Sequence, residues 1–392
     1  MPGIYPLKGI VKHYDWGGTT FIPSLIKKNN YEKKPFAEYW MGTHPLGDSL
    51  VDTGGTELTP LSVIANSLPY LLKVLDVKDM LSIQVHPSKA AAEIEFAREN
   101  AAGIPLNSPN RNYKDNNHKP ELMVALSNFW LLHGFKSSEK LVHTLLNVVE
   151  LRELLPIFNQ SGYAGLYKLI MEMPQADVNR VLQPLIDKVS TIYKKDAQPE
   201  KADEDYWVAK ATASFNKDGN IDRGIFSIYL FNLVHLKKGE GIYQAAGVPH
   251  AYLEGQNVEI MANSDNVLRG GLTSKYIDVK ELLKHVKCEA TKPDILSGEE
   301  VAQAEKLYKT PAPDFQLSVY ELDAGEIISF FPVATEILLL TEGVAELDDD
   351  KIAIKLVAGN PSAVVFPGQQ VYLAAAAKSI VFRATVPVNN GE

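Results

Sequence analysis

The spacing of apolar residues changes twice along the chain. Short segments in which apolar residues alternate with polar ones, or form brief runs, dominate residues 1–136, about 224–283 and about 312–387. Such segments are typical of strands. Clear examples are Tyr70–Val77, Leu81–His86, Glu121–Leu126, Glu336–Leu340 and Ala363–Phe366. Turn residues recur roughly every 8 to 12 residues, which favours a sandwich or barrel over alternating strands and helices.

A helical period fills the region between the first two strand-rich stretches, Ser137–Ala213. One apolar stripe is formed by Leu141, Leu145, Val148 and Val149, and a second by Val178, Val181, Leu182, Leu185, Ile186 and Val189. Pro184 lies inside the second stripe and predicts a kink or a break. The charged segment Lys194–Asp205 predicts a connecting loop. The sequence therefore predicts a mainly β protein with a helical insertion.

The length of 392 residues indicates two domains, or one domain with a large insertion. Lys and Arg number 39 and Asp and Glu 48, so the net charge is −9 and nucleic acid is not an expected partner. The lone cysteine, Cys288, excludes an internal disulfide. Met1–Gly18 contains no apolar core of signal-peptide length, and apolar runs such as Val371–Ala377 are too short to cross a membrane. We therefore expect a cytoplasmic protein with no membrane partner.

The segment from Leu81 to Pro87 is the most informative for chemistry. On a strand, Ser82, Gln84 and His86 would lie on one face, and three polar side chains there need partners. Gln84 and His86 could both reach one metal ion. The alternative is a solvent-facing strand edge, because this spacing is common by chance.

A second candidate pair is Lys119 and Glu121, which share a face of the next predicted strand. They could belong to a site or form an ordinary surface ion pair. His118 has the opposite parity, so its side chain would lie on the other face and is not expected to be a ligand.

Two later segments add further candidates. His250 and Tyr252 share a face of a strand, where a lone histidine could be a ligand or a hydrogen-bonded core residue. Glu259 interrupts an apolar strand. Arg269 precedes two glycines, which would let a ligand approach the backbone, and arginine is a preferred partner of phosphate and oxyanions. The alternative for Arg269 is an ion pair with Asp265.

Taken together, these residues offer two imidazoles, an amide and a carboxylate from three strands: Gln84, His86, Glu121 and His250. A nitrogen and oxygen set without thiolate suits Zn²⁺, with Mn²⁺, Fe²⁺, Co²⁺ and Ni²⁺ as alternatives. Charged neighbours argue against a purely structural site, because charges facing a β interior are costly unless they are used.

Several motifs in this order resemble the type I mannose-6-phosphate isomerase family of the cupin superfamily. They are Tyr14–Gly17, Glu38–Pro45, Leu81–Lys89, Asn117–Glu121, Gly247–Tyr252 and Glu259–Asp278. The run SDNVLRGGLTSKYID, Ser264–Asp278, is the most specific. The helical block and the C-terminal part resemble the family only in their general type of structure. Ile260, Ser274 and Tyr39 depart from residues common in the family, but none is expected to be a ligand.

The resemblance implies two cupin-type β-barrel (jelly-roll) domains and an α-helical domain. The expected division is residues 1–136 and 220–300 for the metal-bearing domain, 137–219 for the helical insertion, and 301–392 for the C-terminal β domain. The family's zinc ligands fall on Gln84, His86, Glu121 and His250, with one Zn²⁺ per chain. Its other active-site residues fall on Ser82, Lys119, Tyr252, Glu259 and Arg269.

The implied activity is a metal-dependent aldose–ketose isomerisation of mannose 6-phosphate and fructose 6-phosphate through a cis-enediolate. Arg269 would stabilise the enediolate or hold an anionic group. Glu259 is a candidate base, and Lys119 with Tyr252 could help to open the sugar ring. The sequence chooses neither the base nor the phosphate anchor, and it does not predict an oligomeric state. Two other classes stay open: a metal-dependent cupin oxygenase, and a sugar-binding protein with a degenerate site.

Overall fold

The first strand-rich part of the chain folds largely as the pattern predicts. A computed structural model describes residues 3–193 and 199–387. Its first elements are β1 (Ile4–Lys8), β2 (Ile10–Lys12), α1 (Phe21–Leu25), β3 (Glu38–His44), β4 (Gly47–Asp48), β5 (Leu50–Val51), β6 (Thr59–Pro60), α2 (Leu61–Ala65), β7 (Tyr70–Val77), β8 (Ile83–Val85), α3 (Lys89–Ala101), β9 (Glu121–Ala125) and β10 (Phe129–Phe135). The strand predicted at Tyr70–Val77 is confirmed residue for residue, whereas the one predicted at Leu81–His86 is shorter.

The predicted helical block follows. It consists of α4 (Ser138–Asn147), a 3₁₀ helix (Val149–Leu154), α5 (Leu155–Glu172), α6 (Gln175–Tyr193), α7 (Glu204–Phe215) and α8 (Gly224–Leu230). The side chain of Ser137 caps α4 by accepting a hydrogen bond from Lys140 N–H. All six residues of the predicted second stripe are buried on α6. They pack against the other helices and against apolar residues of β8 and β10 in one core.

The first apolar stripe does not form one helix. Val148 has extended backbone angles, α4 ends at Asn147, and Val149 is 62% exposed. The predicted continuation of the stripe was therefore wrong. The next buried residues are instead Leu151 and Leu154, which lie on the following 3₁₀ helix.

The break predicted at Pro184 was also wrong, since α6 runs through it. Pro184 lies on the exposed side of the helix, where water can bind the carbonyl that loses its partner. In the predicted loop Lys194–Asp205, residues 194–198 lie outside the described residues, and Glu204 and Asp205 already belong to α7. Strand structure was expected from about residue 224, but α8 occupies the first seven positions.

The remaining elements are again mostly strands. They are β11 (Phe231–Leu236), β12 (Gly241–Gln244), β13 (His250–Ala262), β14 (Leu268–Gly271), α9 (Val279–His285), β15 (Ile295–Leu296), β16 (Glu299–Ala302), β17 (Glu305–Tyr308), β18 (Gln316–Leu322), β19 (Ile327–Phe330), β20 (Glu336–Glu342), β21 (Ala345–Asp348), β22 (Ala353–Leu356), β23 (Ser362–Val365), β24 (Val371–Ala375) and β25 (Ser379–Thr385). Every pairing between these named strands is antiparallel over the described ranges. The fold is thus sheet-rich with a helical section.

Three sheets organise the strands. The largest has the path β15-β12-β9-β13-β7-β3-β2, with β4, β8, β10, β11 and β14 attached to it. The second has the order β16-β17-β18-β25-β20-β23-β1-β5-β6, and the third β19-β24-β21-β22. Because β1 pairs with β23, with Ile4 opposite Val365, the first residues share a sheet with the C-terminal part. The division into domains stays a prediction.

The largest sheet has two different faces at β7, β9 and β13. Alternate residues such as Leu72, Leu122 and Ile260 pack in a core with apolar residues of the second sheet. Because strand side chains alternate between faces, Lys73, Glu121 and Glu259 point to the opposite side. The apolar side of these strands therefore anchors the sheet, and the other side carries the charges of the candidate site.

Over residues 3–193 and 199–387, we find no helix of the length and hydropathy that crossing a membrane requires.

Candidate metal centre and cleft

Strand ends bring the predicted metal ligands together. Gln84 is on β8 and His86 follows its last residue, while Glu121 and His250 are the first residues of β9 and β13. His250 lies directly opposite Gln84 in the ladder between β13 and β8. Opposite residues of an antiparallel pair share a face, and so do residues two apart on one strand. The register therefore places Gln84, His86 and His250 on one side of the sheet, and the contacts of Glu121 with both imidazoles bring its carboxylate to the same point.

Three of these side chains converge closely. The Nε2 atom of His86 lies 3.5 Å from Glu121 Oε1, and that of His250 lies 3.3 Å from Glu121 Oε2. One ligand atom from each residue lies within 4.8 Å of the others. Ligand atoms about 2.0–2.2 Å from a tetrahedral ion lie about 3.3–3.6 Å from one another. The observed separations therefore suit an ion between the three residues.

Hydrogen bonds fix which nitrogen of each imidazole is free. His86 Nδ1 lies 2.9 Å from the carbonyl of Asn266, and His250 Nδ1 lies 3.1 Å from the carbonyl of Val248. A carbonyl can only accept, so each Nδ1 carries the proton and each Nε2 presents a lone pair. Both lone pairs face the Glu121 carboxylate, and His86 Nε2 is buried without a hydrogen-bond partner. A cation between these facing acceptors would satisfy all of them at once.

The protonation states agree with this arrangement. Burial lowers the pKa of His86 to about 4, so the ring is neutral near neutral pH. Burial alone would raise the pKa of Glu121. The positive charge of Lys119, 3.1 Å away, and contacts with the two histidines instead lower it well below its usual value. The centre therefore holds a neutral His86 imidazole and the Glu121 carboxylate, the forms in which these groups bind a divalent metal.

A second buried polar group lies on the same face of the sheet. Lys73 Nζ is 3.1 Å from Glu259 Oε1, and the hydroxyl of Tyr252 donates to Glu259 Oε2 at 2.8 Å. Burial and then the Glu121 charge raise the pKa of Glu259. Burial alone would lower the pKa of Lys73, but the nearby carboxylates of Glu259 and Glu38 raise it. Tyr252, Glu259 and Lys73 thus form a continuous chain of hydrogen bonds.

A cleft of about 1190 Å³ opens beside this face, and Ser82, Gln84 and Arg269 line it. Arg269 is directly opposite Gln84 in the ladder between β14 and β8. Burial lowers the pKa of Arg269. Burial and then the charge of Arg269 lower that of Lys275, which also lines the cleft. Neither cation has an ion-pair partner among the described residues, so this part of the cleft suits an anion.

Sequence reasoning missed Lys73 and Glu38. Lys73 interrupts the apolar residues Tyr70–Leu75 of β7, and it is buried opposite Glu259 on β13. Glu38 begins β3, accepts a hydrogen bond from Trp40 Nε1 and lines the cleft. An isolated lysine inside a predicted buried strand was the signal that could have identified Lys73, because such a charge needs a partner.

Three other residues lie away from the centre. His118 pairs with Asp314 at 2.7 Å and is not part of the group formed by His86, Glu121 and His250. His235 stacks on Trp130 with the ring centres 4.4 Å apart. Cys288 is half-buried, and burial raises the pKa of its thiol to about 11, which disfavours the reactive thiolate.

Another cluster contains Glu95, Glu281 and His285, whose side chains also come close enough to hold an ion. Here positively charged side chains of the protein already form ion pairs with the two carboxylates. Arg98 lies 2.6 Å from Glu95 and 3.0 Å from Glu281, and Lys284 also contacts Glu95. This cluster is therefore an ion-pair network between α3 and α9.

The backbone that follows Arg269 is held by the carboxylate of Asp222. Asp222 Oδ1 accepts hydrogen bonds from Gly224 N–H at 2.7 Å and Leu272 N–H at 2.8 Å, and Oδ2 accepts one from Thr273 N–H at 3.1 Å. Leu272 has a φ of 52°, which is unfavourable for a residue with a side chain. Asp222 thus fixes an irregular segment between the two unpaired cations of the cleft.

Replacing Asp222 with asparagine is expected to raise KM about tenfold while zinc content stays unchanged. The amide would present a donor to an N–H group, and an unpaired buried donor costs about 1–3 kcal/mol. Steady-state kinetics and elemental analysis measure both effects. The matched control is Asp218→Asn on the same cleft, for which KM should stay within about twofold. A lower zinc content with unchanged KM would contradict this role.

Comparisons with known proteins agree with these features. Residues 4–138 match the family model described as phosphomannose isomerase type I, catalytic domain. The mannose-6-phosphate isomerase of Salmonella typhimurium is 36% identical over 369 residues, covering 88% of this chain and 91% of the relative. The human mannose-6-phosphate isomerase is 31% identical, covering 87% and 88%.

Solved structures are similar over nearly the whole chain. A zinc-bound crystal structure of mannose 6-phosphate isomerase has a TM-score of 0.86 and 32% identity, covering 99% of this chain and 100% of that one. The Salmonella typhimurium enzyme with fructose 6-phosphate and zinc has the same TM-score, identity and coverage.

The fold and the converging ligands define an enzyme of the class built around a metal centre with nitrogen and oxygen ligands. The relatives make the assignment specific, because their identity extends across most of both chains. This chain belongs to the type I mannose-6-phosphate isomerase family.

Proposed function

We propose that this enzyme interconverts mannose 6-phosphate and fructose 6-phosphate with one Zn²⁺ per chain. The observation that carries the proposal is the convergence of His86, Glu121 and His250 on one buried point beside a cleft with two unpaired cations. Relatives of that name, one of them with zinc and fructose 6-phosphate bound, support it. A phosphosugar substrate also supports a cytoplasmic location.

We assign the metal site to His86, Glu121 and His250, with Gln84 as the fourth ligand. The register supports Gln84, because it lies opposite His250 and two residues before His86 on the same face. When bound, zinc supplies a Lewis acid for the sugar oxygens O1 and O2. Lys119 balances the charge of Glu121 from the other side.

The phosphate is assigned to Lys275, which lines the cleft beside Arg269. Each loses solvation in the cleft, and Arg269 lowers the pKa of Lys275. A phosphate dianion would relieve this repulsion, and guanidinium and ammonium groups are its usual partners. Arg269 lies opposite Gln84, so it is also placed to stabilise negative charge on the reacting end of the sugar.

Proton transfer is assigned to the chain formed by Tyr252, Glu259 and Lys73. For the aldose, the Glu259 carboxylate takes the proton from C2 and returns it to C1, while O1 gains a proton and O2 loses one. The intermediate is a cis-enediolate. Burial raises the pKa of Glu259 toward the range of an effective base, and the ion pair with Lys73 retains its charged form. Ser82 lines the cleft, Lys119 contacts Glu121 and Tyr252 contacts Glu259. We propose that these three residues orient the sugar and assist ring opening.

The finer architecture is also a proposal. We propose a metal-bearing cupin domain of residues 1–136 and 220–300, a helical domain of residues 137–219 and a C-terminal cupin-type domain of residues 301–392. The helices share most of one core, which also includes residues of β8 and β10, and a different core lies between the second and third sheets; both observations support this division.

The decisive experiment is a coupled assay for fructose 6-phosphate formation from mannose 6-phosphate, with the zinc-loaded protein, in air and under anaerobic conditions. We expect equal turnover in both, and chelation followed by zinc addition should abolish and then restore it. No turnover by the zinc-loaded protein would reject the proposal and favour a sugar-binding protein. A strict requirement for oxygen would favour an oxygenase.

A further inference from the structure

One buried asparagine, Asn266, uses nearly all of its hydrogen-bonding capacity. Its side-chain oxygen accepts from the backbone N–H groups of Lys114 at 2.7 Å and Asp115 at 3.3 Å. Its amide nitrogen donates to the carbonyl oxygens of Asp115 and Asn117, both at 2.8 Å, and to Asp115 Oδ1 at 3.1 Å. The side chain is fully buried. It is therefore held by the segment Lys114–Asn117, and it holds that segment in turn.

The backbone of Asn266 makes a different contact. Its carbonyl accepts the Nδ1 proton of His86 at 2.9 Å. That hydrogen bond determines which imidazole nitrogen is free for a metal and the direction in which the ring points. Because carbonyl and side chain belong to one residue, the orientation of His86 is coupled to the position of Lys114–Asn117.

The segment Lys114–Asn117 leads directly into Lys119 and Glu121, and Glu121 is the carboxylate of the centre. Asn266 thus connects two ligands that come from separate strands, β8 and β9. Two neighbouring bonds strengthen the connection, since Ser264 Oγ donates to Asp115 Oδ1 at 2.8 Å and Asp265 N–H donates to Asp115 Oδ2 at 2.8 Å.

We propose that Asn266 is a positioning residue for the metal centre, which sets the spacing between His86 and Glu121. The inference rests on the proposed zinc site. Partners one contact beyond the ligands typically change metal affinity 10- to 100-fold when they are removed. Asn266 does not touch the metal or the sugar. Its loss therefore weakens zinc binding, while the zinc-saturated enzyme keeps most of its turnover.

The test compares the zinc dissociation constants of the full-length parent, Asn266→Ala and Asn266→Ser, measured by competition with a chromophoric chelator. Alanine removes all the side-chain bonds, whereas serine keeps one small donor and acceptor and is the variant to use if alanine does not fold. The matched control is Asn263→Ala in the same loop, whose amide donates to Leu68 O instead. Thermal unfolding of the metal-free proteins measures any general loss of stability.

We expect zinc affinity to fall about 10- to 100-fold for Asn266→Ala, less for Asn266→Ser and less than about twofold for Asn263→Ala. Excess zinc should restore kcat of the alanine variant to within about threefold of the parent. A parental dissociation constant in Asn266→Ala, or an equal loss in the control, would overturn the inference. Failure of the parent itself to bind zinc would instead refute the proposed zinc site on which the inference rests.

Discussion

Replacing Glu121 with alanine is expected to remove both the zinc and the isomerase activity. Among the described residues, the Glu121 carboxylate is the negative charge that pairs with the Nε2 atoms of both His86 and His250, at 3.5 and 3.3 Å. Without it, the ammonium of Lys119 would be left beside the two imidazoles with no carboxylate to balance its charge, and it would repel a cation. Removing a residue that only contacts a ligand lowers metal affinity by up to roughly 100-fold. Glu121 is itself a proposed ligand, so zinc affinity should fall by more than that. Elemental analysis of purified protein and the coupled assay measure the two losses.

Two comparison variants separate this effect from a general disturbance. His250→Ala should also lose zinc and activity, because it removes one of the free lone pairs. His118→Ala should keep both, since that imidazole pairs with Asp314 outside the centre. Stoichiometric zinc in folded Glu121→Ala or His250→Ala would show that the ligand assignment is wrong.

The proposed ligand residues could be predicted because polar residues lie within apolar strands or at their ends. Polar side chains at Gln84, Glu121 and Glu259 stand among residues that are buried on both sides of the sheet. Alternation along a strand then assigns each side chain to a face. Alternation alone cannot bring distant strands together, so the closeness of His86, Glu121 and His250 depended on the family resemblance before the structure supplied the distances.

The missed features are those that depend on pairing between distant segments. The ion pair between Lys73 and Glu259 needs β7 and β13 to be neighbours in a given register, and no local pattern fixes that register. The pairing of Ile4 with Val365 joins the two ends of the chain for the same reason. The sequence assigned no role to Asn266, because its proposed role comes from contacts with residues about 150 positions earlier.

Helix ends were uncertain for a different reason. The stripe at Leu141 and Leu145 predicted a helix correctly, but a 3₁₀ helix of similar period follows α4 and continues the apolar spacing. Pro184 shows the reverse case. A residue that commonly breaks helices is tolerated because it faces solvent, while its neighbours Leu182 and Leu185 are buried.

Replacing Arg269 with alanine is expected to leave zinc in place and to lower kcat about 100- to 1000-fold. Arg269 lies opposite Gln84 and lines the cleft, so its guanidinium is placed to offset the negative charge that develops on the sugar oxygens. Removing one preorganised donor from such a site costs about 2.7–4 kcal/mol of transition-state stabilisation, which corresponds to this range. Steady-state kinetics with elemental analysis of the same preparation measure turnover and metal content together.

The result also decides between the two roles that the sequence left open for Arg269. If its main role is to hold the phosphate, Arg269→Ala should raise KM while kcat changes little, and Lys275→Ala should do the same. If it stabilises the enediolate, kcat falls in Arg269→Ala and only KM changes in Lys275→Ala. We expect the second pattern, because the register brings Arg269 next to Gln84 at the metal end of the cleft.

The control is Lys217→Ala, which removes a cation elsewhere on the cleft lining. Both kcat and KM of this variant should stay within about threefold of the parent. An unchanged kcat in Arg269→Ala would remove this residue from the chemical step.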